Sequence, residues 1–263
     1  MADPVLLEVR DGVATITLNR PEAMNSLDVA TKERLRDVVA AVAEDPEARA
    51  VVLTGSGRAF CVGQDLKEHV AILRGPDRDS LFRTVEEHYN PIVTALASMP
   101  KPVVCAVNGV AAGAGVSLAL ACDLRVLSDS AGFNFAFAGI ALSCDTGTSW
   151  TLPRLVGREK ALELLYLPTT VPATEAVEMG LAGRVVPADE LQATTHALAA
   201  RLATGPTAAL GAIRRSVAYA AEHSFTDALA FEASMMTATG ATEDHAAAVD
   251  SFLAKEKPVF RGR

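Results

Sequence analysis

No two of the four cysteines in this 263-residue chain are spaced as a metal or redox pair. Cys61, Cys105, Cys122 and Cys144 stand alone, without a CxxC or an accompanying pair of histidines. Isolated thiols among apolar neighbours read as reduced and buried, so neither a disulfide framework nor a metal site is expected. Aromatic residues are scarce, at 5% with one tryptophan, and basic residues are outnumbered, 24 against 32 acidic for a net charge of −8. Such a charge balance excludes a general nucleic-acid binder, which needs a positive field along phosphates. No unbroken apolar run is long enough to span a membrane. The longest candidate, Val103 to Ala121, is interrupted by Asn108 and by glycines and a serine. The opening stretch carries Asp3, Glu8 and Asp11 where a signal peptide would be apolar. A cytoplasmic location with no membrane partner is the expectation.

What is present is an ordered α/β chain, 50% hydrophobic. Two short apolar runs flank Asp11-Gly12, a two-residue hairpin signal. Asp28 predicts an N-cap for an amphipathic helix over Val29 to Ala43, with Leu35, Val38, Val39 and Val42 on one face. Apolar strands are expected at Ala50–Thr54, Val103–Val107 and Leu124–Leu127, and a helix over Ser80 to Ser98 that stops at Met99-Pro100. Beyond Pro187 the composition turns alanine-rich and helical, over 191–203, 207–222, 226–239 and 242–254. The division expected is a βα core over 1–187 and a C-terminal helical subdomain over 188–263.

Two glycine-rich bends each follow a buried strand. One is Asn108-Gly109-Val110-Ala111-Ala112-Gly113-Ala114-Gly115, which leads into a helix. It lacks the third glycine of a dinucleotide fingerprint, the lysine of a P-loop and the final glycine of a nucleophile elbow. Two readings remain: close packing of helix on strand, or backbone N–H groups presented to a ligand oxygen. The second bend, Ala59-Phe60-Cys61-Val62-Gly63-Gln64-Asp65-Leu66, favours the ligand reading. Two strand ends that each present amides could supply the two donors of an oxyanion hole for an enolate beside a thioester.

At these residues the chain resembles the enoyl-CoA hydratase/isomerase (crotonase) superfamily. The resemblance runs through Leu18-Asn19-Arg20-Pro21-Glu22, Asn25-Ser26-Leu27, the 59–66 bend, Lys101 to Gly109, Cys122-Asp123, Leu152 to Gly157, Ala176 to Pro187 and Lys257-Pro258. It implies a spiral of ββα units, C-terminal helices that mediate a homotrimer or a dimer of trimers, and an acyl-CoA thioester partner. No separate cofactor is implied, because coenzyme A enters as part of the substrate. The oxyanion donors implied are the backbone N–H groups of Gln64 and Ala114, with side-chain identity expected to matter little at either. Glu22, Ala23, Met24, Val62, Gly63, Gln64, Asp65, Leu66 and Gly113 would line the coenzyme A and thioester path. Met24 stands where many relatives carry a basic residue. Asp65 also reads as the N-cap of a following helix.

Hydratases of the superfamily use two glutamates, whose places here are held by Ser117 and Phe137. Neither can act as a carboxylate, and no Asp or Glu occurs between Asp129 and Asp145. Asp145 itself reads two ways, as a turn or helix-cap aspartate or as the acid/base. A subset of the superfamily carries an Asp at this place, including the epoxyphenylacetyl-CoA isomerase type of phenylacetate degradation and some enoyl-CoA isomerases. The function this implies is an acyl-CoA double-bond isomerase with Asp145 as its catalytic residue. The alternatives are an enoyl-CoA hydratase and a catalytically silent acyl-CoA binder. His69 and His88 are expected on solvated helix faces, Tyr89 to pack, and Trp150 to wall the pocket.

Overall fold

The computed structural model describes residues 3–263. Strands β1 (Val5–Arg10) and β2 (Val13–Leu18) pair antiparallel, with Val9 opposite Ala14. Asp11 and Gly12 turn the chain at φ 50° and 78°, the positive values that a two-residue hairpin requires. Asp28 then caps α1 (Val29–Glu44), accepting the Thr31 N–H at 2.9 Å.

Three ββα units follow, each sending one strand into each of two sheets. β3 (Ala50–Gly55) and β4 (Ala59–Cys61) lead to α2 (Leu66–Leu73), and α3 (Asn90–Ser98) precedes the next unit. β5 (Val103–Val107) and β6 (Val110–Ala112) lead to α4 (Ala114–Ala121), and β7 (Leu124–Ser128) and β8 (Gly132–Asn134) to α5 (Thr148–Val156). Then come α6 (Arg158–Tyr166), β9 (Thr170–Pro172), α7 (Ala173–Glu178) and β10 (Arg184–Val186). The chain ends in α8 (Leu191–Ala203), α9 (Thr207–Ala220), α10 (Phe225–Gly240) and α11 (Glu243–Ala254). The larger sheet runs β1-β2-β3-β5-β7-β10 and the smaller β4-β6-β8-β9, and neighbouring strands from the repeated units are parallel in both. This is the expected spiral of ββα units, with helices gathered at the C-terminal end.

Alternation along the larger sheet divides its side chains between two layers. Ile16, Leu53, Cys105 and Leu127 enter the main core. Val13, Ala50, Val52, Ala106 and Val126 face the other way, onto Leu191, Ala199 and Ala203 of α8. No helix among the described residues is long and apolar enough to cross a membrane.

The stretch expected as a helix over Ser80 to Ser98 is helical from Arg83 onward but is not α-helical throughout. A 3-10 turn at Arg78–Ser80 and a π-helical turn at Val85–Tyr89 come before α3. Pro91 explains the slip, since it has no N–H to give the Glu87 carbonyl four residues back. That carbonyl accepts the Arg36 guanidinium at 3.4 Å instead. The π turn also rotates Tyr89 and His88 inward, and both are buried.

Candidate active site

The two glycine-rich bends meet edge to edge. A Cβ on Gly115 would collide with the Cys61 carbonyl, so this glycine answers to close packing of α4 against β4. The neighbouring amides answer to the other reading of the run. Among the described residues, neither the Gln64 N–H nor the Ala114 N–H donates to a protein acceptor. The carbonyls of the same two peptide groups are anchored: Gly63 O accepts the Leu27 N–H at 2.8 Å and Gly113 O accepts the Val116 N–H at 3.0 Å. Unspent N–H donors on anchored peptides, one of them opening a helix, are groups that can stabilise negative charge on a ligand oxygen.

The loop from Glu22 to Leu27 lies beside the first bend. Val62 N–H reaches Met24 O at 3.3 Å, and Asp65 N–H reaches Leu27 O at 3.1 Å. Met24 and Asn25 both take positive φ, 52° and 55°. The Asn25 amide holds the turn by donating to the carbonyls of Ser56, Ala59 and Phe60. Ala23, Met24, Val62 and Gln64 are half-buried there, whereas Glu22 and Leu66 are exposed. Asp65 is occupied structurally. One oxygen caps α2 through the Lys67 and Glu68 N–H groups, and the other takes Arg20 and Ser26. Burial alone would raise its pKa, but these hydrogen bonds outweigh burial and hold it below the ordinary carboxylate range.

The Gln64 side chain is itself engaged, beside the backbone donor that singles the residue out. Its Oε1 accepts the Tyr89 hydroxyl at 2.5 Å and the Lys32 ammonium at 3.3 Å, and its Nε2 donates to Glu68 Oε1 at 3.5 Å. Glu68 pairs in turn with Lys32 at 3.5 Å. Lys32 is 1% exposed and lies 5.7 Å from the Tyr89 ring centroid. Burial lowers the Lys32 pKa, with Glu68 opposing the shift. Burial raises the Tyr89 hydroxyl well above its ordinary value, and the Asp145 and Glu68 charges add to it. Sequence reasoning missed Lys32 and Glu68 as neighbours of the site. The available signal was Lys32 itself, three and seven residues before Leu35 and Val39, on the apolar face of α1.

Asp145 stands at the turn into α5. Its side chain caps nothing: the residue before α5 is Gly147, with no side-chain cap, and the Thr148 N–H goes to the Asp145 backbone carbonyl at 3.0 Å. Of its structural readings, the cap does not survive this geometry, whereas the turn does: Asp145 opens the turn that this bond closes. Burial raises its carboxyl above the ordinary range, although the Thr146 hydroxyl, donating at 2.7 Å, pulls the other way. A carboxylate made more basic by burial, with one hydroxyl partner, suits proton transfer.

Ser117 is buried and its hydroxyl lies 2.5 Å from that of Thr148. Phe137 lines an apolar cavity of about 530 Å³ with Leu142, Cys144, Ala161 and Leu165, between the 137–144 loop, α5 and α6. The cavity therefore adjoins Cys144, the residue before Asp145. Trp150 is 43% exposed under the Arg154 guanidinium. One expectation fails nearby. His88 is buried against Thr84, not solvated, because the π turn swings it inward. The thiols are free, and burial pushes Cys61 up to about 12.

Comparison with known proteins gives this geometry its lineage. The enoyl-CoA hydratase/isomerase family profile matches residues 8–263. The 1,2-epoxyphenylacetyl-CoA isomerase of Escherichia coli (strain K12) is 41% identical over 263 residues, 100% of each chain. A Rhodobacter capsulatus protein described as a probable enoyl-CoA hydratase is 41% identical over 256 residues, 97% of each chain. A Mycobacterium abscessus structure described as an enoyl-CoA hydratase/isomerase superposes with a TM-score of 0.94 at 44% identity, covering 98% of this chain and 100% of that one. With its ββα spiral and a family match over nearly its whole length, the chain belongs to the enoyl-CoA hydratase/isomerase family.

Proposed function

We propose that the protein is an acyl-CoA double-bond isomerase in which Asp145 alone moves the proton. The observation that carries the reading is the half-buried Asp145 carboxylate, which caps no helix and is made more basic by burial, while Ser117 and Phe137 stand where the resemblance implies the hydratase glutamates. In a 3-enoyl thioester, Asp145 removes a proton from the α carbon, and the electron pair flows into the thioester carbonyl to give a dienolate. The N–H groups of Gln64 and Ala114 stabilise that oxygen. The neutral Asp145 then returns the proton at the γ carbon as the carbonyl reforms and the double bond moves into conjugation. No atom is gained or lost, so one acid/base suffices. Hydration would also need a group to activate water.

The CoA thioester would run along the 22–24, 62–66 and 113–114 bends, as the resemblance implies, and the cavity beside Cys144 offers apolar space for the acyl group. The reaction as written asks for no cofactor and no metal. The E. coli relative's name, an isomerase at 41% identity, agrees with the reading. The Rhodobacter relative's name favours the hydratase alternative. For assembly, the C-terminal helices expose Ile213, Val217, Phe225 and Met236, by 60%, 69%, 79% and 74%. Apolar surface of that extent on successive helices supports a homotrimer or a dimer of trimers.

The test pairs two substrates on the purified protein. Growth of conjugated-thioester absorbance from a 3-enoyl-CoA is the expected result. Water addition to crotonyl-CoA at a comparable rate would favour the hydratase instead. Binding without turnover of either would leave an acyl-CoA binder.

A further inference from the structure

Ser117 occupies the place of a hydratase glutamate, yet its hydroxyl points away from solvent and into a chain of hydrogen bonds. It donates to Gly113 O at 3.2 Å and lies 2.5 Å from Thr148 Oγ1. Either hydroxyl can donate in the second bond; when Ser117 directs its one proton to Gly113 O, Thr148 is the donor. Both side chains are buried, at 1% and 0% exposure. Gly113 O belongs to the same peptide group as the Ala114 N–H. Gly113 holds that peptide at φ 52° and ψ −125°, a conformation that favours glycine. The carbonyl also accepts the N–H groups of Val116 and Ser117, at 3.0 and 3.3 Å. At the other end of the chain of bonds, Thr148 gives its N–H to the Asp145 carbonyl at 3.0 Å.

We infer that Ser117 and Thr148 are positioning residues that set the strength of one oxyanion donor and its placement relative to the proton-transferring carboxylate. The inference rests on the isomerase reading above. A hydrogen bond to a peptide carbonyl polarises that peptide and strengthens its N–H as a donor. The Ser117 hydroxyl thus acts on the Ala114 N–H through the peptide bond and fixes its direction. Thr148 ties the first turn of α5, and with it the Asp145 loop, to the same peptide. The side chain that takes the glutamate's place has no acid/base role here. It couples the two halves of the site.

The readout that a merely structural role would not move is the thioester carbonyl itself. A saturated butyryl-CoA carrying ¹³C at the carbonyl is bound, and its infrared stretching frequency is compared with that of free ligand. The wild type is expected to lower the frequency. Ser117→Ala should lose half or more of that shift, with kcat on a 3-enoyl-CoA down about tenfold and KM changed by less than about twofold. Thr148→Val should keep the carbonyl shift but slow exchange of the α proton with D2O, because Ser117 still donates to Gly113 while the first turn of α5, with the Asp145 loop bonded to it, loses its hydroxyl tie to Ser117. Thr148→Ser should restore both. Ser117→Ala leaves the Thr148 hydroxyl unpaired, so the double variant Ser117→Ala, Thr148→Val, with no orphaned polar group, repeats the measurement if the single variant does not fold. A wild-type carbonyl shift and kcat in a folded Ser117→Ala or double variant overturns the inference and leaves the isomerase reading standing. Absence of any shift in the wild type overturns the inference together with the oxyanion assignment.

Discussion

Gly63 faces Ala114 across the two bends: a Cβ placed on Gly63 would stand 3.3 Å from Ala114 N and 2.8 Å from Ala112 O, and Gly63 itself takes φ 83°. The two proposed donors are neighbours because no side chain separates the bends that carry them. Two consequences follow for a side chain placed there. The left-handed backbone costs a non-glycine residue roughly 1–2 kcal/mol, and the methyl pushes directly on the second bend. Gly63→Ala should therefore fold with a lowered melting temperature and lose kcat/KM more severely than its stability loss explains. Denaturation and kinetics on the same preparation check this, and a wild-type kcat/KM would show that the spacing of the bends does not matter.

Removal of the Gln64 side chain strips the acceptor from the Tyr89 hydroxyl and one partner from Lys32. Both are buried. Orphaning a buried polar group costs about 1–3 kcal/mol. Gln64→Ala should be destabilised by that order in urea titration, although its backbone donor is retained. Tyr89→Phe, which removes a partner without leaving an unpaired hydroxyl, should be milder. Equal stability of Gln64→Ala and wild type would mean that the cluster does not anchor the bend.

The raised pKa of Asp145 also makes a prediction about stability. Burial lifts its folded-state value above the ordinary 3.8. The protonated carboxyl is therefore the form the fold prefers. Its favourable contribution is full below the unfolded-state value and is lost as pH rises through the folded-state value. At neutral pH the ionised group is a burden, so Asp145→Asn should be at least as stable as wild type there. That advantage should shrink as pH falls through the carboxylate range. Denaturation midpoints across pH 3 to 8 measure it. A variant less stable than wild type at neutral pH would point to a structural bond made by the charged form. The acid limb of the kcat/KM profile should likewise lie above 3.8.

Local signals read true where the chain closes its own hydrogen bonds. The Asp11-Gly12 turn, the Asp28 cap, the capping of α2 by Asp65 and the C-terminal helices all depend on residues within a few positions of one another. The site was legible as two glycine-rich bends and one acid, through their kinship with a family more than through periodicity. What stayed hidden depends on distant partners. Lys32 resembles a surface lysine until Gln64 and Glu68 arrive from more than thirty residues away. The inward swing of His88 follows from Pro91 shifting a helix into π register. Three-residue strands such as β8 and β9 are too short to show alternation, and it is their pairing that makes them strands.

The central claim rests on one side chain and is tested most directly by Asp145→Asn, assayed for conversion of a 3-enoyl-CoA to the conjugated isomer. Asparagine keeps the size and the hydrogen bond to Thr146 but cannot accept a proton. Turnover should fall by about two orders of magnitude or more. Acyl-CoA affinity should change little, because backbone donors hold the thioester. Near-wild-type turnover by Asp145→Asn, on a substrate that the parent protein isomerises, would contradict the account.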